Sequence, residues 1–359
     1  MKKSLALVLA LVFVMFTLAA CGGGDSSSSA APASTGGDST PAADSSEVND
    51  GEGSAQAGDL KVAAIFGGAI NDGNWNETQY NGLMDLKEKG ICSDPKYMEN
   101  VSDTDAAEAA RTYASEGFNL VYLTTNSYQD YCTSVAESFP DTMFIQINGT
   151  YLAENFISVR IADEEQGFVQ GVIAALLTET GKVGFVGGLE INPIKLGSSG
   201  FQQGVDYVNE TYGLAVVAQR INTGSFTDVN QAKETAISLI EDGCDVVAPM
   251  ANDASVGVME AAEEKGAMAI GCGLGQDASA PTTTEVIVVK DVAIAYQVTG
   301  EDFANGILTV PAEVETYGAN KGVVWVTDWF KDVDDEVKTR VEEVMLKLMN
   351  GEISISLDL

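Results

Sequence analysis

A loop of glycines and polar side chains, residues 67–76, follows the first apolar run of the folded part of the sequence. Asn71 and Asp72 offer hydrogen-bonding groups, and Asn74 is of a residue type that caps helix N-termini. Trp75 falls in the first turn of the predicted helix, where an indole ring can stack on a flat ligand. The structural alternative is that Trp75 packs in the core and Asp72 caps the helix. The residue types alone leave both interpretations open.

Further polar or glycine-containing loops follow other predicted strands. The carboxyl ends of parallel strands meet at one edge of a sheet, which is where open α/β sheets bind ligands. Each loop taken alone fits ordinary loop chemistry, but their shared position predicts one ligand site. The candidates from these loops are Asn126, Gly188, Leu189, Asn252, Asp253 and Lys290.

The composition excludes several classes of function. The chain has no His, which removes Ser-His-Asp triads, Cys-His dyads and His-ligated zinc. Its formal net charge of −34 argues against nucleic acid as a partner, because phosphate contacts require Lys or Arg. The glycine-rich segment 271–275 lacks the GxGxxG spacing of a dinucleotide loop. We therefore predict a protein that uses no cofactor and no metal.

Cysteine usage leaves two interpretations open. Cys92, Cys132, Cys244 and Cys272 include no CxxC pair, so they lack the pattern of a zinc site. In an exported protein, Cys92 could pair with Cys132 and Cys244 with Cys272. The simpler interpretation, which we favour, is that all four are buried free thiols.

The N-terminus has the pattern of an export signal. Residues 1–20 begin with a positive stretch, continue as an apolar run too short to span a membrane, and end in small residues. The closing Leu18-Ala19-Ala20-Cys21 resembles a bacterial lipobox and predicts acylation of Cys21; the alternative is an ordinary signal peptide with a chance Cys. Residues 21–59 are rich in Gly, Ser, Ala and acidic residues, and we expect a disordered tether.

From residue 60 onward, short β-rich runs alternate with helical stretches, which is typical of parallel sheets covered by helices. The predicted fold class is α/β, with two doubly wound parallel-sheet lobes and a ligand cleft between them. Lobe I would begin with 60–161, lobe II would be 162–290, and 291–359 would return to lobe I with the C-terminal helix. We expect that helix over Asp334–Met349, with Asp332 as its cap and Gly351 at its end.

Several sequence blocks occur in order between about residue 60 and residue 353. They are the block 71–76, the block 181–188 followed by Gly200-Phe201, the block 224–228, and Val289-Lys290-Asp291-Val292. In this combination the chain resembles the basic membrane protein family, the lipoprotein substrate-binding components of ABC importers. The resemblance implies the periplasmic-binding-protein type I fold and, as in several relatives, a purine-nucleoside-like ligand.

The resemblance carries roles to individual positions. It implies that Trp75 stacks on the base and that Lys290 lies near the sugar. It also implies that Asp72, Asn76 and Asp130 occupy polar positions of the family's ligand site.

The chain also departs from the family pattern. Gly271-Cys272-Gly273 stands where relatives have an aspartate for the ribose hydroxyls, and Asn252-Asp253-Ala254 replaces a Gly-Gly-Thr-like loop. Asp253 is the candidate replacement for the missing acceptor. Otherwise the ligand is a free base or another flat heterocycle.

We therefore expect an extracytoplasmic substrate-binding protein rather than an enzyme. Its partners would be a nucleoside-like small molecule and a membrane ABC permease, with the membrane reached only through the lipid anchor and the monomer as working state. Two alternatives are a ligand-sensing receptor of the same fold and a carboxylate-based nucleoside hydrolase. The hydrolase would place Asp72 and Asp253 on either side of the scissile bond.

Overall fold

The computed structural model of the protein describes residues 60–359. The expected signal peptide, Cys21 and the tether lie outside these residues. The strands, in chain order, are Val62–Ile65 (β1), Lys96–Met98 (β2), Leu120–Leu123 (β3), Met143–Ile147 (β4), Leu152–Ala153 (β5), Phe156–Ile161 (β6), Lys182–Gly187 (β7), Val217–Asn222 (β8), Val246–Met250 (β9), Met268–Gly271 (β10), Thr284–Lys290 (β11), Glu315–Tyr317 (β12) and Val324–Val326 (β13).

Helices separate most of these strands, as the alternating sequence pattern predicts. They are Trp75–Glu88 (α1), Ala106–Ser115 (α2), Gln129–Ser138 (α3), Asp163–Leu177 (α4), Asn192–Tyr212 (α5), Val229–Glu241 (α6), Ser255–Lys265 (α7), Ala293–Ala304 (α8) and Asp335–Met349 (α9).

Lobe I is built on a seven-stranded sheet in the order β12-β6-β4-β3-β1-β2, with β5 paired to β6 off this path. The strand pairs are parallel apart from β5 and β6. Helices cover both faces, so the central strands are apolar throughout. On β1, Val62 and Ala64 join the core beneath α1 and α8, whereas Ala63 and Ile65 join the core beneath α2 and α3.

Lobe II is built on a six-stranded sheet in the order β13-β11-β10-β9-β7-β8. Its strand pairs are parallel apart from the antiparallel pair β11 and β13. The cores on its two faces are formed with α4, α5 and α9 on one side and α6 and α7 on the other. The two doubly wound lobes agree with the predicted α/β class.

Helices α4 and α5 pack at backbone contact. A Cβ on Gly200 or Gly204 of α5 would overlap the carbonyl oxygens of Glu164 or Phe168 in α4. Helix α5 begins at Asn192, and Pro193 falls in its first turn, where a proline ring is compatible with helical geometry.

Three short segments cross between the lobes: residues 161–163, 290–293 and 317–324. The first two agree with the expected crossovers. The backbone segments are hydrogen-bonded to each other, since Ala162 N–H donates to the Tyr317 carbonyl at 3.0 Å and Asp291 N–H donates to the Val323 carbonyl at 2.7 Å.

The expectation that residues 291–359 return to lobe I as a whole is wrong. Only α8 and β12 join lobe I, whereas β13 pairs with β11 and α9 packs in the lobe II core. Val341, Val344 and Leu348 of α9 are buried there. An apolar stripe shows that a helix has a buried face, but it does not show which surface covers that face.

The start of α9 also differs from the expectation. Asp334, rather than Asp332, is the N-cap, and its carboxylate accepts a hydrogen bond from Glu336 N–H at 2.8 Å. The two acidic residues have equal capping propensity, so the position of the first helical turn decides between them.

Among the described residues, Cys92, Cys132, Cys244 and Cys272 are buried free thiols. Cys92 and Cys132 lie in cores on opposite faces of the lobe I sheet, which keeps them apart. Burial raises the pKa of Cys92 to about 11 and that of Cys132 to about 12. Buried thiols of this kind are chemically inert.

We expect Gly200→Ala to lower the free energy of unfolding by about 1–3 kcal/mol, because the added methyl group forces α4 and α5 apart. Urea denaturation followed by far-UV circular dichroism would measure the loss. Glu210→Ala, at an exposed position of the same helix, is the control and should remain within about 0.5 kcal/mol of the parent. Equal stability of the two variants would contradict the close packing.

Candidate functional site

A cavity of ≈ 660 Å³ lies between the lobes, and its volume is typical of small-molecule sites. Its walls come from loops that follow strands of both sheets. Lobe I contributes residues within 67–76, 100–103 and 125–127, together with Asn148; lobe II contributes residues within 191–194 and 226–227, Met250, Asn252-Asp253, Asp163 and Lys290.

Trp75 opens α1 and is half-buried between the lobe I core and the cavity. Its indole Nε1–H donates to the carbonyl oxygen of Thr124 at 3.0 Å, and the Gln79 amide donates to the same oxygen at 3.2 Å. Lys290 Nζ lies 5.3 Å from the centroid of the indole ring, within range of a cation–π interaction. These contacts fix the orientation of the ring while leaving part of it in the cavity wall.

Lys290 and Asp163 form a buried ion pair in the lining of the cavity. The Lys290 ammonium donates to Asp163 Oδ1 at 2.5 Å. The Lys290 side chain is 8% exposed and the Asp163 side chain is 2% exposed. Asp163 Oδ2 accepts from the Asn148 amide at 3.2 Å. The Asn148 side chain in turn accepts from the Ile161 N–H at 2.7 Å. The ammonium at the cavity is therefore held by groups from both lobes.

Asp72 caps α1, as the structural alternative proposed. Its carboxylate accepts from the backbone N–H groups of Asn74, Asn76 and Glu77 at 3.0–3.1 Å. It also accepts from the side-chain amide of Asn76 at 2.8 Å. Asn74 is the N-cap residue, but its side chain makes no capping bond. Asp72 and Asn76 line the cavity, yet their polar atoms are largely committed to each other and to the helix.

Asn126, Asn252 and Asp253 also line the cavity. Asn126 lies in a short 3-10 turn after β3 of lobe I, and Asn252 and Asp253 lie in one after β9 of lobe II. Asn252 has a φ of 47°, in the left-handed region that Asn tolerates better than most residues. Partial burial, and then the negative charge of Asp72 in the opposite lobe, raise the pKa of Asp253. This carboxylate faces the cavity from lobe II.

Four predicted site residues do not line the cavity. Asn71 and Asp130 are exposed on lobe I, and Leu189 is exposed on lobe II. Gly188 is buried against Phe226, where a Cβ would overlap the aromatic ring. The rule that parallel sheets bind ligands at the carboxyl ends of their strands (the strand-end rule) identifies the edge of the sheet at which a loop lies. It does not show which side chains of that loop face the cavity.

Several lining residues were missed as ligand contacts. Phe226 follows the edge strand β8, and Asn100 and Asp103 follow β2, a strand the sequence pattern did not reveal. Asn148 follows β4, and Asp163, at the end of the first crossing segment, begins α4. The strand-end rule could have found all of them once every strand was recognised.

Within residues 60–359, no cluster of three or more Cys, Asp or Glu side chains is arranged to hold a metal ion. No helix in this part of the chain is long and apolar enough to cross a membrane.

Two parallel-sheet lobes, three crossing segments and a ligand-sized cavity at the facing strand ends define a two-lobed solute-binding protein. The chain belongs to the basic membrane protein family: residues 60–358 match the family described as ABC transporter substrate-binding protein, PnrA-like. This confirms the resemblance found in the sequence. Membership implies a small-molecule ligand, a transporter permease as partner and a place outside the cytoplasm.

Individual relatives agree with this assignment. Basic membrane protein A2 of Borrelia garinii is 26% identical over 315 residues, which cover 85% of this chain and 90% of that protein. A purine-binding protein of Brucella abortus is 27% identical over 299 residues, with 82% of each chain covered. An ABC transporter solute-binding protein of Aeropyrum pernix shares the fold, with a TM-score of 0.72 at 21% identity over 84% of this chain and 94% of the other.

We expect Asp253→Asn to raise the melting temperature at pH 7 by about 1–2 °C, a small effect because water screens the partly exposed carboxylate. The raised pKa means that the folded state holds the proton more strongly than the unfolded state, so ionisation costs stability at neutral pH. The advantage of Asn should shrink as the pH falls through the raised value and disappear below the ordinary value of 3.8.

Differential scanning fluorimetry across this pH range would measure the difference. The control is Asp130→Asn, an exposed carboxylate outside the cavity. A stabilisation by Asp253→Asn that stays constant down to pH 3 would show that the carboxylate is not perturbed in the cleft.

Proposed function

We propose that the protein is the lipid-anchored substrate-binding component of an ABC importer and that its ligand is a purine base or purine nucleoside. The observation that carries the ligand class is the pair of aromatic side chains, Trp75 from lobe I and Phe226 from lobe II, in the walls of one cavity. A flat ring held between the lobes can stack on either side chain, and such contacts contribute about 1–3 kcal/mol per base. The purine-binding relative from Brucella abortus supports the same class.

The charges of the lining favour an uncharged ligand. Asp72, Asp103, Asp163 and Asp253 line the cavity, and among the described lining residues Lys290 is the cationic side chain. Because Asp163 already neutralises Lys290, a phosphate group would meet uncompensated carboxylates. Bases and nucleosides fit this lining, whereas nucleotides would be repelled.

The hydrogen-bonding groups that remain free suit the edge of such a ligand. Asn126, Asn252 and Asp253 make no side-chain hydrogen bonds within the described part of the chain, so they are available to a ligand. Asp253 can accept two donors, such as a ribose diol or the N–H groups of a base edge. Asp253 would therefore supply the carboxylate acceptor that the segment Gly271-Cys272-Gly273 lacks.

We also infer that the protein binds its ligand rather than hydrolysing it. A hydrolase would need both Asp72 and Asp253 as reacting groups across the bond to be broken. The hydrogen bonds that Asp72 accepts from the start of α1 commit it to the helix. Ligand-driven closure of the lobes, followed by delivery to the permease, needs no reacting group.

A thermal-shift screen would identify the ligand. Adenine, guanine, adenosine and guanosine should raise the melting temperature, because they bind the folded state only. The monophosphates AMP and GMP should produce little or no shift at the same concentration. A larger shift with the monophosphates than with the nucleosides would overturn the proposed ligand class.

Trp75→Ala should weaken binding of the best compound at least about tenfold, since the loss of one stacked aromatic costs about 1–3 kcal/mol. Trp75→Phe should retain most of the affinity. Isothermal titration calorimetry would measure both. The control is Trp329→Phe, at a partly buried position outside the cavity that packs against the lobe II core. Unchanged affinity of Trp75→Ala would remove the indole from the site.

Cys21→Ser should abolish lipid anchoring if Cys21 is the acylated residue. Expression in a bacterial host with labelled palmitate should then give a labelled parent and an unlabelled variant, with the variant released from the membrane fraction. Cys92→Ser, a change at a buried thiol, is the control and should remain labelled. Equal labelling of Cys21→Ser and the parent would reject the anchor.

A further inference from the structure

The first three residues of α4 are acidic. Asp163 and Glu165 bind residues in the second and third crossing segments, whereas Glu164 binds a residue at the end of β6. Asp163 binds Lys290, at the start of the second crossing. Glu164 forms a bidentate pair with Arg160, one residue before the first crossing, with both N···O distances at 2.7 Å. Glu165 accepts a hydrogen bond from the Ala319 N–H in the third crossing at 2.6 Å.

Of these three carboxylates, Asp163 is the one that lines the cavity. Its oxygens join the Lys290 ammonium, which lies over the indole of Trp75, to the Asn148 amide of lobe I. Glu164 and Glu165 lie outside the cavity lining. The same turn of helix therefore contains Asp163, which touches both a crossing segment and the cavity, and Glu165, which touches a crossing segment alone.

We propose that Asp163 is a positioning residue that couples the ligand cavity to the hinge through Lys290. The proposal rests on the proposed function only in taking Lys290 as a ligand contact. Asp163 holds the ammonium on the indole, so that its remaining N–H groups are directed at the ligand. A ligand that accepts one of them is then connected through Asp163 to lobe I and to two of the three crossings, which favours the closed arrangement of the lobes.

A double-mutant cycle tests the coupling. Asp163→Asn and Lys290→Met should each weaken binding of guanosine or adenine about tenfold, as expected for the loss of one charge-assisted hydrogen bond. The double variant should bind no more weakly than the weaker single variant, because both changes remove the same linkage. Losses that multiply to about a hundredfold would show independent effects and would overturn the proposal.

Glu165→Gln is the matched control, with the same chemical change two residues further along α4. It should alter the affinity less than about threefold, and its effect should multiply with that of Lys290→Met, as expected for sites that share no partner. Non-additivity of Glu165→Gln with Lys290→Met would instead indicate a general loosening of the hinge.

Trp75 provides a second readout that needs no ligand. In a Trp325→Phe, Trp329→Phe background, Trp75 is the remaining tryptophan of the chain. Asp163→Asn and Lys290→Met should change its emission intensity, since the ammonium lies 5.3 Å from the ring centroid, and Glu165→Gln should not. If no purine compound binds, the proposed function fails, and the emission of Trp75 then tests the positioning role of Asp163 by itself. Unchanged emission in Asp163→Asn would reject that role.

The buried pair also requires a folding control. If Asp163→Asn does not fold, the double variant with Lys290→Met, which removes both charges, should recover a cooperative melting transition. Recovery supports an ion pair that positions the ammonium. A double variant that also fails to fold would assign Asp163 a purely structural role and reject the proposal.

Discussion

The buried ion pair between Lys290 and Asp163 is the interaction on which the site and the hinge both depend. A buried pair of this kind stabilises a fold only when its other hydrogen-bonding capacity is used. Here Asn148 takes the second oxygen of Asp163, and the indole of Trp75 lies beside the ammonium. Asp163 also begins α4, where the helix dipole favours a negative charge. The arrangement requires two segments far apart in sequence to meet at one point, which the crossover topology provides.

Most of the fold could be predicted from the sequence. The central strands are continuous apolar runs because helices cover both faces, and the helices between them have periodic apolar positions. The strands that escaped prediction, β2, β5 and β12, are short and have partly exposed residues, so they lack that signal. The sequence also could not predict against which lobe α9 packs. Its stripe of Val341, Val344 and Leu348 fits any apolar surface, and the pairing of β13 with β11 determines which lobe provides it.

The candidate site was predictable to a lesser extent. Position after a parallel strand identified Trp75, Asn126, Asp253 and Lys290, because topology alone brings strand ends together. Position could not show that Asp72 would be committed to capping α1, since free and capping carboxylates have the same sequence. Nor could it show that Gly188 would lie under Phe226. That contact depends on the conformation of two neighbouring loops, which is set by tertiary packing.

The small residues Gly271-Cys272-Gly273, which begin at the end of β10, bring the two lobes into contact. Cys272 Sγ is within 3.6 Å of the Asn74 amide of lobe I, and a Cβ on Gly273 would come within 3.2 Å of the Gly73 carbonyl oxygen. The small residues allow the two loops to meet. Nearby, burial and then the negative charge of Asp72 across the cleft raise the pKa of Asp253.

Cys272 therefore contributes to contact between the lobes. The carboxylate that lines the cavity from the neighbouring strand end is Asp253. Under the proposed function, a purine ligand would direct its hydrogen-bond donors toward Asp253, and selectivity within the purine class would then depend on this carboxylate.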